Sequence, residues 1–116
     1  MIDFDSDLGV TAQVLDAIAI RSNVAMHNIA NQNTPGFKRL TVEFESLLRE
    51  ANERGEDVRA VRPVVTRDRS GPPGQNNVSV MREMAILDKI SLLHEVVSRR
   101  AGGYFSHMNK AIRGQG

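Results

Sequence analysis

The chain has 116 residues, fifteen basic against fourteen acidic side chains, a net charge of +1 and no cysteine. That length suits one modest domain. The near-neutral balance gives no global case for nucleic acid or an anionic membrane, and the missing thiols exclude disulfide frameworks and thiolate metal sites. Charge is nonetheless uneven along the chain. Before Pro35 the only basic residue is Arg21, against Asp3, Asp5, Asp7 and Asp16, whereas the remainder carries fourteen basic and ten acidic residues. The first ten residues hold three aspartates and no basic run, unlike a secretory signal, and no apolar run reaches the length of a transmembrane segment. Aromatics are few, four Phe, one Tyr and no Trp. Compact monomers lean on such residues for core area, so the composition points towards burial between molecules.

The first predicted element is an N-terminal helix over residues 8–33. Leu8, Leu15, Ile18, Ala25 and Ile29 recur at near-heptad steps, the seam of a bundle or coiled-coil helix. Val10, Val14, Ile20, Val24 and Met26 widen the apolar surface, as in helices buried on several sides. Ser6 or Thr11 is the expected cap. The helix stops where Thr34 precedes proline and is pushed towards extended dihedrals. Pro35 and Gly36 fit the two central positions of a type II turn. Asn31 and Asn33 can bond the free carbonyls of the helix end, and Phe37 follows as an apolar anchor.

Residues 34–77 read as an irregular middle. A short helix is expected over 42–52, with Phe44, Leu47 and Leu48 on one face and Gly55 as its stop. Residues 58–66 read as an extended, β-like segment, with Pro63 restricting it to an edge. Residues 67–75 read as a flexible loop. The C-terminal helix is expected over 78–113, capped by Asn77 or Ser79. Its stripe is Ile86, Ile90, Leu93, Val97, Ala101, Tyr104, Met108 and Ile112, a clean helical period. Gly102-Gly103 interrupts it and predicts a bend, fraying or a close helix contact, and Lys110 and Arg113 suit the negative pole of the dipole. The expected fold is therefore mainly α: two long terminal helices pairing as a coiled coil around a middle with a short helix and an extended segment, all in one domain.

No residue pattern supplies catalytic, metal or cofactor chemistry. His27, His94 and His107 lack metal-ligand spacing and read as packing or surface histidines. No serine lies in a nucleophile elbow, and Gly71-Pro72-Pro73-Gly74 lacks the donors and the lysine of a phosphate loop. Glu43, Glu45, Glu50, Glu53 and Glu56, interspersed with Arg49 and Arg54, read as a solvated face. Arg59, Arg62, Arg67 and Arg69 lack the interleaved aromatics of a single-strand nucleic-acid binder and better suit an acidic partner surface.

Two motifs carry more. Asn28-Ile29-Ala30-Asn31, two further residues, then Thr34-Pro35-Gly36-Phe37-Lys38 closely resemble the N-terminal signature of bacterial flagellar rod and hook proteins. In that family an aliphatic helix ends in Asn-Ile-Ala-Asn-x-x-Thr-Pro-Gly-aromatic. The second run, Gly74-x-Asn76-Asn77-Val78 followed by Glu83-Met84, is similar to that of one of the two short proximal-rod types; the larger rod and hook proteins insert β-rich domains for which this chain is too short. The resemblance covers nearly the whole layout, with residue-level matching over 24–44 and 74–87. It implies a structural subunit of the proximal rod, the drive shaft that transmits torque for motility, exported by the flagellar type III apparatus without a cleaved signal into the periplasmic rod. It implies assembly with copies of itself, with other rod proteins (FlgC, FlgF and FlgG types), with the FliE adaptor, and with the MS ring and export gate. The helix faces expected to carry assembly are Leu15, Ile18, Ala25, Ile29, Ile86, Ile90, Leu93, Val97, Tyr104 and Met108. The C-type proximal rod protein and a small helical adaptor or export-chaperone-like module remain as alternatives.

Overall fold

A computed structural model describes the backbone of residues 4–112 and the side-chain surroundings of residues 11–99. The elements run α1 (Phe4–Ala30), β1 (Leu40–Glu43), α2 (Glu45–Glu53), a 3-10 turn (Val58–Ala60), β2 (Val64–Arg67) and α3 (Val80–Ile112). The molecule is mainly helical, with one two-stranded antiparallel ribbon between the long helices. Its extents are 62 × 31 × 15 Å and its radius of gyration is 18.1 Å, against about 13 Å for a compact chain of this length.

The two long helices pack against each other. Ala25 lies beside Glu83 and Ile86, while Leu15 and Ile18 lie beside Ile90 and His94, so the pair is antiparallel. On α1 Gln13 and Ala17 are buried, and a line of buried or half-buried positions runs through Thr11, Val14, Ile18, Arg21, Ala25 and Asn28. Their steps of three and four residues keep one line on a helix surface. The line is only partly apolar, which a search for hydrophobic periodicity does not detect. Of the predicted stripe, Ile18 and Ala25 are buried and Leu15 and Ile29 half-buried. The side chains of Leu8 and Val10 lie outside the described residues, as do Ala101, Tyr104, His107, Met108, Lys110, Ile112 and Arg113 of the C-terminal segment. On α3, Ile90 is buried, Ile86 and Val97 are half-buried, and Leu93 is exposed.

Several sequence expectations are corrected. The first helix begins by Phe4 and ends at Ala30, so Ser6 and Thr11 lie inside it and neither caps it. Thr11 is buried on the covered line instead. The short helix begins at Glu45, because Leu40–Glu43 is taken by β1. Thr41 and Val42 are β-branched and favour the pleated conformation, and the ribbon aligns Thr41 with Thr66, their hydroxyls 3.0 Å apart. Phe44, expected on the helix face, precedes α2 and is buried at its N-cap position. Gly55 ends the helix as expected. With φ of +71°, it lets Glu56 N–H reach Ala51 O and its own N–H reach Asn52 O, the paired bonds of a Schellman stop.

The extended segment divides in two. Residues 58–60 form the 3-10 turn, held where Asp57 accepts from Arg59 N–H. The strand itself starts after Pro63, which has no donor to give a ladder. Gln13 of α1 ties the turn to the helix by donating to Val58 O at 2.9 Å and Val61 O at 2.5 Å. Of the two expected caps of α3, Ser79 takes the role, its Oγ accepting from Arg82 N–H. The helix assignment then continues unbroken through Gly102-Gly103, whose packing lies outside the described residues.

Candidate functional site

The residues of the two motifs meet. At the first, Thr34 O accepts from Phe37 N–H at 3.2 Å and Gly36 has φ of +72°, which makes Thr34–Phe37 the expected type II turn. Asn31 Nδ2 donates to His27 O at 2.9 Å and its Oδ1 accepts from the Thr34 hydroxyl. The α1 terminus is thus tied by its own side chains. Phe37 is half-buried, with the His27 ring at 5.8 Å and the Arg67 guanidinium 5.4 Å from its centroid.

Asn28 is the best-covered residue of the motif, with 0% exposure. Its amide oxygen accepts from Leu40 N–H at 2.8 Å and its amide nitrogen donates to Leu40 O at 2.9 Å. One side chain therefore satisfies both edge groups of a strand residue, as a neighbouring strand would. Seven residues earlier, Arg21 reaches Val42 O at 3.3 Å and forks onto the Glu45 carboxylate, its Nη1 2.6 Å from Oε1. That fork holds Glu45 below the ordinary glutamate pKa, so Glu45 is not simply part of a solvated face.

The second motif closes from the other side. Asn76 Nδ2 donates to Asn31 O and Thr34 O, both at 2.8 Å, and Asn76 Oδ1 accepts from Val78 N–H. Asn77 N–H donates to Phe37 O; its Oδ1 accepts from Arg39 N–H at 2.6 Å, and its Nδ2 donates to Asp68 O at 2.8 Å. The Asn77 amide thereby prolongs the ribbon beyond Leu40 and Arg67. Gly36 of the first motif faces Gly74 of the second, where a Cβ on Gly36 would come within 3.5 Å of Gly74 O. Lys38 Nζ donates to Ser70 O and Pro72 O. The segment expected to be a flexible loop is accordingly fastened by backbone carbonyls along its length.

Beneath this layer is a buried ion pair. Arg39 Nε donates to Glu83 Oε1 at 2.7 Å, with Asp68 Oδ2 3.4 Å from Arg39 Nη1. The Arg39 side chain is 9% exposed and that of Glu83 1%. The second oxygen, Glu83 Oε2, has no partner among the described residues. Asp68 also accepts from Ser70, and these bonds hold its carboxyl below the usual range. Among the described residues no group of three or more His, Asp or Glu is placed to hold a metal ion.

No family model matches the chain. Three curated proteins do, each named flagellar basal body rod protein FlgB. That of Borreliella burgdorferi is 38% identical over 64 residues, covering 53% of this chain and 47% of its own. That of Borrelia hermsii is 38% identical over 61 residues, covering 51% and 45%. That of Bacillus subtilis is 27% identical over 108 residues, covering 82% and 84%. Over the matched residues the chain is similar to flagellar basal body rod proteins.

The matches to the FlgB proteins of Borreliella burgdorferi and Borrelia hermsii span about half the length of each, and the FlgB of Bacillus subtilis carries the likeness over most of both chains. The structure unites Asn28, Asn31, Thr34, Gly36, Phe37, Asn76, Asn77 and Glu83 of the two sequence motifs in one joint. Ile29 and Val78 are half-buried, while Ala30 and Met84 are exposed. Arg39 and Asp68 escaped the sequence reading: each is a single charged residue in a charged neighbourhood, and only the fold brings them to Glu83. Asn28 and Arg21 carried a usable signal. Both lie on the line through Thr11, Ile18 and Ala25, where a polar residue in a covered row has to find a partner.

Proposed function

We propose that the protein is a structural subunit of the flagellar basal-body rod, of the short proximal type, polymerising through its terminal helices into the drive shaft that transmits torque for motility. The observation that carries this reading is the likeness to three proteins that all bear the same rod-protein name. The molecule's surface supports it. The accessible area is 8047 Å², against about 6,300 Å² for a compact monomer of this mass. Met81, Met84, Leu92, Leu93 and Val96 all stand exposed on α3. In the assembled rod the helices pack as a coiled coil with copies of this chain and with other rod proteins. The chain meets the FliE adaptor, the MS ring and the export gate at the base of the periplasmic rod, which it reaches through the flagellar type III apparatus.

The joint gives the mechanism its geometry. It fixes where the axial helix α1 hands over to the outer ribbon and α2, and returns the chain to α3 at the same point. The terminal helices of the free subunit are partly unfolded or loosely paired and gain order on the growing rod, where burying apolar area at about 25 cal/mol per Å² offsets the ordering cost. Circular dichroism of a verified monomer tests this: partial helicity with broad melting is expected, and a fully helical, cooperatively melting monomer contradicts it.

The test of the function is genetic. Gly36→Val places a β-branched residue at φ of +72°, a conformation such residues rarely adopt, so swimming and rod assembly should fall sharply. Gly36→Asn, which tolerates that conformation better, should keep more of both. Normal swimming with Gly36→Val would count against the role.

A further inference from the structure

The ribbon has two edges, and they are treated differently. Asp68 N–H donates to Arg39 O at 2.8 Å, across the pair that continues the register Leu40↔Arg67, Thr41↔Thr66, Val42↔Val65 and Glu43↔Val64. In an antiparallel ladder, bonded and non-bonded pairs alternate. Thr41–Thr66 and Glu43–Val64 are therefore bonded pairs, while Leu40, Val42, Val65 and Arg67 turn their N–H and C=O groups outward. On the β1 side α1 takes three of the four groups: Asn28 takes both of Leu40, and Arg21 takes Val42 O, leaving only Val42 N–H without a partner among the described residues. On the β2 side the corresponding groups of Val65 and Arg67 have no partner among the described residues. Val64 and Val65 are each 46% exposed beside this edge.

We infer that the free edge of β2 is a docking site for an extended, acidic segment of a different protein chain, which joins the ribbon as a third strand. Backbone bonds to Val65 and Arg67 supply its register. Exposed Arg62 and Arg69 flank the edge and select carboxylates, whereas the Arg67 guanidinium is turned across the ribbon onto Lys38 O and Phe37. The same charges disfavour a second copy, because two β2 edges brought together would place these arginines against each other. The site lies on the outer ribbon, away from the helix faces assigned to polymerisation, so it stands whether or not the chain is a rod subunit.

The test uses the full chain and a capped six-residue peptide of alternating glutamate and valine, followed by amide NMR and hydrogen exchange. In the free protein the Thr66 and Val64 amides exchange slowly and those of Val65 and Arg67 quickly. On titration, Val65 and Arg67 should become protected. Val65→Pro removes one outward N–H and leaves the ladder to β1 intact, so it should weaken binding about tenfold. Arg62→Glu with Arg69→Glu should weaken it further as salt is lowered. A lysine–valine peptide should not bind. Peptide binding without protection of Val65 and Arg67, equal binding by capped polyglutamate, or spontaneous edge-to-edge dimers of the protein would each overturn the inference. Should Val65→Pro fail to fold, the exchange pattern of the unsubstituted chain decides alone.

Discussion

At the scale of residues, Asn28 and the Arg39–Glu83 pair hold the joint, and their contributions differ in kind. Asn28→Ala leaves both half-buried Leu40 edge groups without their partner, at about 1–3 kcal/mol in all. Urea denaturation should show a loss in that range, and a change under 0.5 kcal/mol (roughly a surface substitution) would mean that water replaces the amide. Arg39 and Glu83 are a buried pair, for which removing one partner costs about 3–5 kcal/mol while an apolar replacement of both is often neutral. Glu83→Ala and Arg39→Met should each destabilise strongly. Glu83→Met with Arg39→Met should lose far less than the summed single effects, and a double-mutant cycle measures that coupling. Asp68 would then lose an arginine but keep Ser70 and contact with Arg82, so the compensation should be incomplete.

At the scale of elements, what was legible followed what was periodic. Both long helices, the Pro35-Gly36 turn, the Gly55 stop and the Ser79 cap were readable, because each rests on local rules of spacing, φ or capping. β1 was not. Four residues hold too short an alternation to be distinguished from a helix start, and the strand exists because its partner lies far along the chain and Asn28 receives its outer edge. The joint was half legible. The motif residues stood out by their wording, but nothing local says that Asn77 bridges Arg39 to Asp68. The attachment of α2 can be tested through pH. Arg21 lowers the Glu45 pKa from 4.5, so the stabilisation is present above that value and is lost as pH falls through the depressed folded one. Glu45 is 63% exposed, which limits the pair to about 1 kcal/mol or less. Glu45→Gln should be slightly less stable than the parent at pH 7, with the gap closing in acid and in high salt. A gap that widened in acid would reverse the assignment.

At the scale of the whole molecule, an elongated shape, an excess of exposed area and a hydrogen-bonded polar joint suit a part that completes its burial among neighbours. Chain ends usually fray unless they are tied down. Here the joint ties the α1–α3 pair where the two motifs meet. The same arrangement explains why no catalytic constellation is needed for the proposed role: the buried polar groups fix an angle between segments. Electron microscopy of basal bodies from a strain lacking this chain tests the rod assignment. Membrane rings without a rod, restored by the unaltered gene, are expected; complete rods in the deletion strain would overturn it.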